Sequence, residues 1–218
     1  MEEAEKNKKI RQNVIALFFR MFVTLIISFY SVRLLLGILG VESFGVYTIV
    51  AGFVSSLSFL SQSMSISVQR FYSFALGKKN QQQLKNIFGL SFIIFLMIAV
   101  FTLILGETIG YWFVSTKIVI PKETYNQAIW LYHFSLFSFV FLIFRIPYMA
   151  ILMAYEDMKT FAALNILENS LKLLAVIILP FLAEDLLYHY GVLLLIISIT
   201  TLFIYVYITK QKFKIAKF

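Results

Sequence analysis

The stretch that decides the fold is Asn165–Leu174, NILENSLKLL. It places a carboxylate, Glu168, and an ammonium, Lys172, inside a run over 161–183 that is otherwise apolar enough to cross a bilayer. The 13 Phe, Leu, Ile and Val residues of that run contribute about −4 to −8 kcal/mol to insertion, while two central charges cost about +5 to +7 kcal/mol. With its charges facing lipid, the segment would barely insert. On a helix, Asn165, Glu168, Asn169 and Lys172 follow i, i+3, i+4, i+7 spacing and fall within an arc of about 100°. One polar stripe therefore turns away from lipid as a unit, and Glu168 to Lys172 is the favourable i, i+4 order.

The rest of the chain has the same character. Of 218 residues 61% are hydrophobic and 14% charged, with 24 Phe and 12 Tyr, which is not the profile of a water-soluble domain. A bilayer core about 30 Å thick takes roughly 20 apolar residues per helix. Six such runs lie at 14–37, 45–65, 87–106, 127–155, 161–183 and 186–208. The reading is an all-α polytopic membrane protein, a six-helix bundle forming a single transmembrane unit over 1–218. The first run follows a basic leader, KNKKIRQ, is too long for a secretory core and lacks an Ala-x-Ala site, so it reads as a retained helix.

The formal charge of +8 is distributed by side. Lys6, Lys8, Lys9 and Arg11 precede the first run, Arg70, Lys78, Lys79 and Lys85 lie between the second and third, Lys159 between the fourth and fifth, and Lys210, Lys212, Lys214 and Lys217 follow the sixth. The opposite connections hold Lys117 and Lys122 against Glu42, Glu107, Glu123, Glu184 and Asp185. The positive-inside rule then puts both termini in the cytoplasm. Basic residues concentrated on one side of a membrane do not suggest nucleic acid as a partner. With no Cys and only His133 and His189, no metal site, catalytic group or cofactor is expected.

Three features shape the connections. GILGVESFG (37–45) supplies glycines for a tight hairpin turn. The stretch from Glu107 to Asn126, with GYWFV and VIPKETY, has the Trp and Tyr content of a segment lying along the interface. Pro147 interrupts the fourth run and predicts a kink beside Arg145.

Within the spanning runs the cations are Arg20, Arg33, Arg145 and Lys172, and the one acid is Glu168. Arg145 and Lys172 lie near the midplane, about 15 Å and 17–18 Å from the inner ends of their runs at 1.5 Å per residue. Arg33 reads as interfacial, and Arg20, beside Thr24 and Ser31, either snorkels or lines a cavity. Glu168 and Lys172 either neutralise each other inside the bundle or face a water-filled cavity. A second stripe, Ser55, Ser58, Gln62, Ser65 and Gln69, suits either close helix packing or the same cavity. One carboxylate does not balance two cations, so a cavity here keeps positive charge and favours an anion. The candidate translocation residues are Arg20, Gln62, Arg145, Asn165, Glu168, Asn169 and Lys172, with Glu168 also the candidate for proton coupling.

Two segments carry a family resemblance: SFYSVRLLLGILGVESFGVYTIVAGFVSSLSFLSQSMSISVQRF with the following ALGKKN, and FRIPYMAILMAYEDMKTFAALNILENSLKLLAVIILP. They resemble the polysaccharide transporters of the multidrug/oligosaccharidyl-lipid/polysaccharide exporter superfamily, which include the O-antigen flippases. The second is the more specific, with Arg145, Pro147, Tyr148, Glu156 and Lys172 at matching positions. The resemblance implies one lobe of a two-lobe exporter in the bacterial inner membrane, flipping undecaprenyl-diphosphate-linked oligosaccharide for lipopolysaccharide or other surface-polysaccharide biosynthesis. Its implied partners are membrane lipids, an anionic lipid-linked oligosaccharide, and a second six-helix lobe or another copy of the chain. Members of the family have two lobes, so the chain reads as a truncated frame or a half that pairs. The alternative is a membrane enzyme of envelope glycan assembly, a polymerase or acyltransferase. It would place paired carboxylates or a histidine site in loops at a membrane face; the outer connections are short, and among the inner connections only Glu156-Asp157 offers an adjacent acid pair.

Overall fold

A computed structural model describes residues 2–182 and 185–213, and the side chains of 2–6 and 59–62 are not described. Glu184, Lys214, Lys217 and the side chains of Lys6 and Gln62 therefore lie outside the described residues. The secondary structure that is described is helical throughout.

Helix α1, Glu2–Ser56, holds the first apolar run and the start of the second as two arms, 2–39 and 41–56, divided at Gly40 with φ 75° and ψ 168°. Only a residue without a Cβ enters that region cheaply. The expected loop over 37–45 is thus a single-residue break, and the helix resumes at once. The second arm ends at Leu57, whose N–H bonds to the Val54 carbonyl at 3.2 Å. Around it the hydroxyls of Ser55, Ser56 and Ser58 donate to the carbonyls of Gly52, Phe53 and Ser55, competing with the backbone ladder. Helix α2 then runs Ser58–Gly77. The expected single helix over 45–65 is therefore broken, and its second part continues well past 65.

Helix α3, Gln81–Leu105, passes through a π-helical turn, Gly106–Gly110, into α4, Tyr111–Lys117. Tyr132 explains the wide turn: its hydroxyl donates to the Gly106 carbonyl at 2.6 Å, and a Cβ at Gly110 would fall on that hydroxyl. An inserted side chain is a known cause of such bulges. Most of the stretch expected along the interface is consequently helix that extends the third span, leaving 118–124 as the connection.

Helix α5, Tyr125–Ala154, continues through Pro147 as one element and packs against α7, α2, α3 and α1. Leu131, Leu136, Ile143, Ala150 and Ile151 on it are fully buried. Helix α6, Met158–Ile178, ends in a 3₁₀ turn, Leu179–Phe181, and α7 runs Leu186–Lys212. The outward faces are apolar: Phe18, Phe22, Leu25 and Phe29 of α1 and Ile93, Met97, Phe101 and Ile104 of α3 are all exposed. Helices with their backbone bonds satisfied internally and apolar side chains outward fit hydrocarbon, not water. Among the described residues five helical stretches are long and apolar enough to cross a membrane, the first of them, 7–56, holding both arms of α1. The chain is a multi-pass membrane protein.

The two ends of the bundle are recognisable by their polar contacts. At one end Lys9 pairs with Glu156 at 3.0 Å and Lys212 with Asp157 at 2.7 Å, bringing the start of α1, the α5–α6 turn and the end of α7 together. At the other, Gln127 donates to Asp185 at 2.6 Å.

Candidate functional site: a shared carboxylate beside a cavity

Arg145 on α5 and Lys172 on α6 meet on one acid. Arg145 Nη1 lies 2.6 Å from Glu168 Oε2, and Lys172 Nζ lies 2.9 Å from Oε1. The i, i+4 pair read from spacing is therefore present, and a cross-helix member joins it. Helix α7 completes the site: Arg145 Nη1 donates to Thr201 Oγ1 at 3.3 Å, and its guanidinium lies 5.2 Å from the Tyr205 ring centre. A planar guanidinium suits both contacts, because its edge donates while its face lies on a ring. Arg145 and Glu168 are largely buried, with side chains 9% and 12% exposed, whereas Lys172 is 42% exposed. Two cations on one carboxylate leave a surplus positive charge, and Lys172 is the member that presents it.

The charge faces a cavity of about 510 Å³ lined by Arg145, Glu168 and Lys172 among others. Its polar wall includes Ser55 of α1, Ser58 and Ser65 of α2, Ser135 and Ser138 of α5 and Ser198 of α7; Tyr47, Phe139 and Tyr190 add aromatic surface. The Arg145 Nε and the Ser138 hydroxyl are buried with no hydrogen-bond partner among the described residues. A buried donor left unpaired is costly, and both belong to residues that line the cavity. On α7 the lining residues, Tyr190, Leu194 and Ser198, belong to the half nearer Asp185. The cavity thus reaches mid-depth from that end. At the far end the Lys9–Glu156 and Lys212–Asp157 pairs and Tyr155, stacked on Phe213 with ring centres 4.1 Å apart, tie the helix ends together, and none of these residues lines the cavity.

Not every candidate converges on it. Arg20 sits with its guanidinium 5.2 Å from the Phe161 ring centre, its Nε buried and unpartnered among the described residues, away from the cavity lining. Asn165 donates to Tyr205 Oη at 3.3 Å and to the Phe161 carbonyl at 3.0 Å, and Asn169 donates to the Asn165 carbonyl at 2.8 Å. These two amides bond to α7 and to their own helix; neither is among the lining residues. Thr201 and Tyr205 were not among the candidates. Their signal was present in the sequence, since Ser198, Thr201 and Tyr205 follow i, i+3, i+7 on one helix face. Among the described residues no cluster of His, Cys, Asp and Glu could hold a metal ion.

Comparison with known proteins supplies the remaining context. No curated protein sequence matches the chain. It is similar to a solved structure described as the outward-facing conformation of a multidrug resistance MATE family transporter of the MOP superfamily, at 17% identity and a TM-score of 0.78. The likeness covers 94% of this chain and 46% of that one. At this identity it establishes the fold, and the chain spans less than half the length of that transporter. A family model described as MatE matches residues 16–178, most of the chain with the charged site inside that range, and the chain belongs to the MatE family.

Proposed function

We propose that the chain is one lobe of an exporter that moves a lipid-linked anionic oligosaccharide, of the undecaprenyl-diphosphate type, across the bacterial inner membrane for surface-polysaccharide or lipopolysaccharide assembly. The observation that carries this reading is the excess charge: Arg145 and Lys172 share Glu168 at the wall of a mid-depth cavity. In a low-dielectric surround an unbalanced cation selects for a negative group and against a cationic drug. The apolar and aromatic wall beside it suits an amphipathic substrate.

Both termini are assigned to the cytoplasm, supported by Lys8, Lys9, Arg11, Lys159, Lys210 and Lys212 at the end that carries them. The cavity then faces outward in this conformation. A second lobe, or another copy of the chain, supplies the opposing wall, and rocking of the two alternates access. Glu168 takes up a proton when the lobes move and release Lys172 or Arg145.

Lys172 is the residue to test, because its removal leaves Glu168 bonded to Arg145 and the buried pair intact. Lys172→Gln should insert and accumulate at normal levels while transfer of lipid-linked oligosaccharide in reconstituted liposomes falls at least tenfold; Lys172→Arg should retain most of it. Normal transfer by Lys172→Gln, or export of a cationic dye in its place, would overturn the proposal.

A further inference from the structure

The α2–α3 hairpin carries Arg70, Lys78, Lys79 and Lys85, yet no acidic residue occurs between Glu42 and Glu107. Among the described residues none of the four forms an ion pair. The cations on the far side of the same membrane end behave differently, since Lys9 and Lys212 are matched to Glu156 and Asp157. Ser67, Arg70, Phe71 and Phe74 line a second cavity of about 590 Å³, separate from the shared-carboxylate site. Phe71 and Phe74 are 61% and 57% exposed, and the Lys78 ammonium lies 4.3 Å from the centre of the Phe74 ring.

Arg70, Phe74 and Lys78 are successive i, i+4 neighbours, so they share one face of α2, with Ser67 a turn before them. At 1.5 Å per residue the two cations are about 12 Å apart along the axis, a span their long side chains can close around a small anion. Phe71 and Phe74 lie between the two cations along the helix, so this one face offers an acyl chain an apolar surface and a headgroup a positive one. We infer that this face is a binding site for an anionic glycerophospholipid of the surrounding leaflet, its phosphate held by the Arg70 and Lys78 side chains and an acyl chain lying against Phe71 and Phe74. Charge selects the occupant. A neutral lipid would leave the cations as they are, while a phosphodiester with no zwitterionic ammonium completes them. The site stands apart from the proposed transport reaction and does not depend on it.

The test uses the full chain in nanodiscs of phosphatidylcholine with increasing phosphatidylglycerol, read by the phosphatidylglycerol retained per protein after detergent extraction. Wild type should retain phosphatidylglycerol over phosphatidylcholine by at least fivefold. Arg70→Gln with Lys78→Gln should lower that selectivity at least threefold, whereas Arg70→Lys should keep most of it and Lys117→Gln all of it. Raising salt should weaken retention, as expected for a partly exposed ionic site. Absence of selectivity in wild type would overturn the inference, and that measurement does not depend on any variant folding. So would a double variant that changes the number of chains per particle while leaving lipid retention alone, since the cations would then serve a protein partner.

Discussion

Lys79 and Glu156 occupy the same backbone position in two different turns. Each has a left-handed φ, 53° and 56°, and each closes a helix with the same pair of bonds. After α2, the N–H groups of Lys79 and Asn80 reach the carbonyls of Leu76 and Ala75; after α5, those of Glu156 and Asp157 reach Met153 and Leu152. This is the Schellman arrangement, normally closed by glycine. The next residue caps the following helix in both: Asn80 accepts from the Gln83 N–H at 2.9 Å and Asp157 from the Thr160 N–H at 3.2 Å. The difference lies in the surroundings. The α5–α6 turn is clasped by Lys9 and Lys212 from the two ends of the chain, while the cations of the α2–α3 turn form no ion pair among the described residues. Identical turn geometry thus serves a closed intramolecular latch in one hairpin and an open cationic surface in the other. Backbone bonding sets the turn, and the charges decide what it holds.

What a clasp of opposite charges is worth depends on its burial, and the interior site marks the upper end of that scale. Glu168 bridges Arg145 and Lys172 with little access to water. Glu168→Gln leaves two cations without a counter-charge, and loss of one partner in a buried network costs about 3–5 kcal/mol. The apparent unfolding midpoint in detergent should fall more than for any variant at the turns. Adding Arg145→Met to Glu168→Gln should recover much of the loss, because the deeper of the stranded charges is removed. A single variant as stable as wild type would mean that Glu168 is not shared between two cations.

Half of that site was legible in sequence. The i, i+4 spacing of Glu168 and Lys172 and the mid-run position of Arg145 identified the charged residues and their surplus. That Arg145 lands on Glu168 was not, because a contact between α5 and α6 depends on packing that helical periodicity does not encode. The helices divide in the same way. Apolar length marked the chain as helical and membrane-spanning, but the break at Leu57 comes from serine hydroxyls bonding to their own helix, and the π-helical turn from a tyrosine reaching over from α5. The extension of α2 to Gly77 was hidden by its Ser, Gln and Arg content, which reads as a loop when only apolar length is counted.

At intermediate burial the comparison is tested by Asp157. Burial pushes its carboxyl up, but the Lys212 ammonium and the Thr160 donors outweigh that and hold it below the usual carboxylate range. A carboxyl lowered in the folded state adds stability above its unfolded pKa of about 3.9 and loses it as pH falls through the folded value. Asp157→Ala removes the cap and the pair together, at a cost of about 1–2 kcal/mol at neutral pH. The gap between wild type and Asp157→Ala in apparent unfolding midpoint should persist from pH 7 to about 5 and close as pH drops below about 4. Asp157→Asn, which keeps an acceptor for the cap, should lie between the two at neutral pH. A gap that does not change with pH would remove the carboxylate from the account of this latch.

The smallest effect isolates the turns themselves. A non-glycine residue in the left-handed region costs about 1–2 kcal/mol, partly returned because glycine loses more chain entropy on folding. Lys79→Gly should therefore stabilise the protein by about 0.5–1 kcal/mol net, since Lys79 has no ion pair to lose among the described residues. Glu156→Gly gains the same backbone relief and gives up the pair with Lys9, whose partners are 55% and 65% exposed; such a pair is worth about 0–1 kcal/mol. Lys79→Gly should accordingly raise the unfolding midpoint by the larger amount. In a Lys9→Ala background the pair is already gone, so the two glycine variants should become equal. If Glu156→Gly still falls short there, the turns differ in more than their charges. The α5–α6 latch would then rest on backbone packing and not on the salt bridges that clasp it.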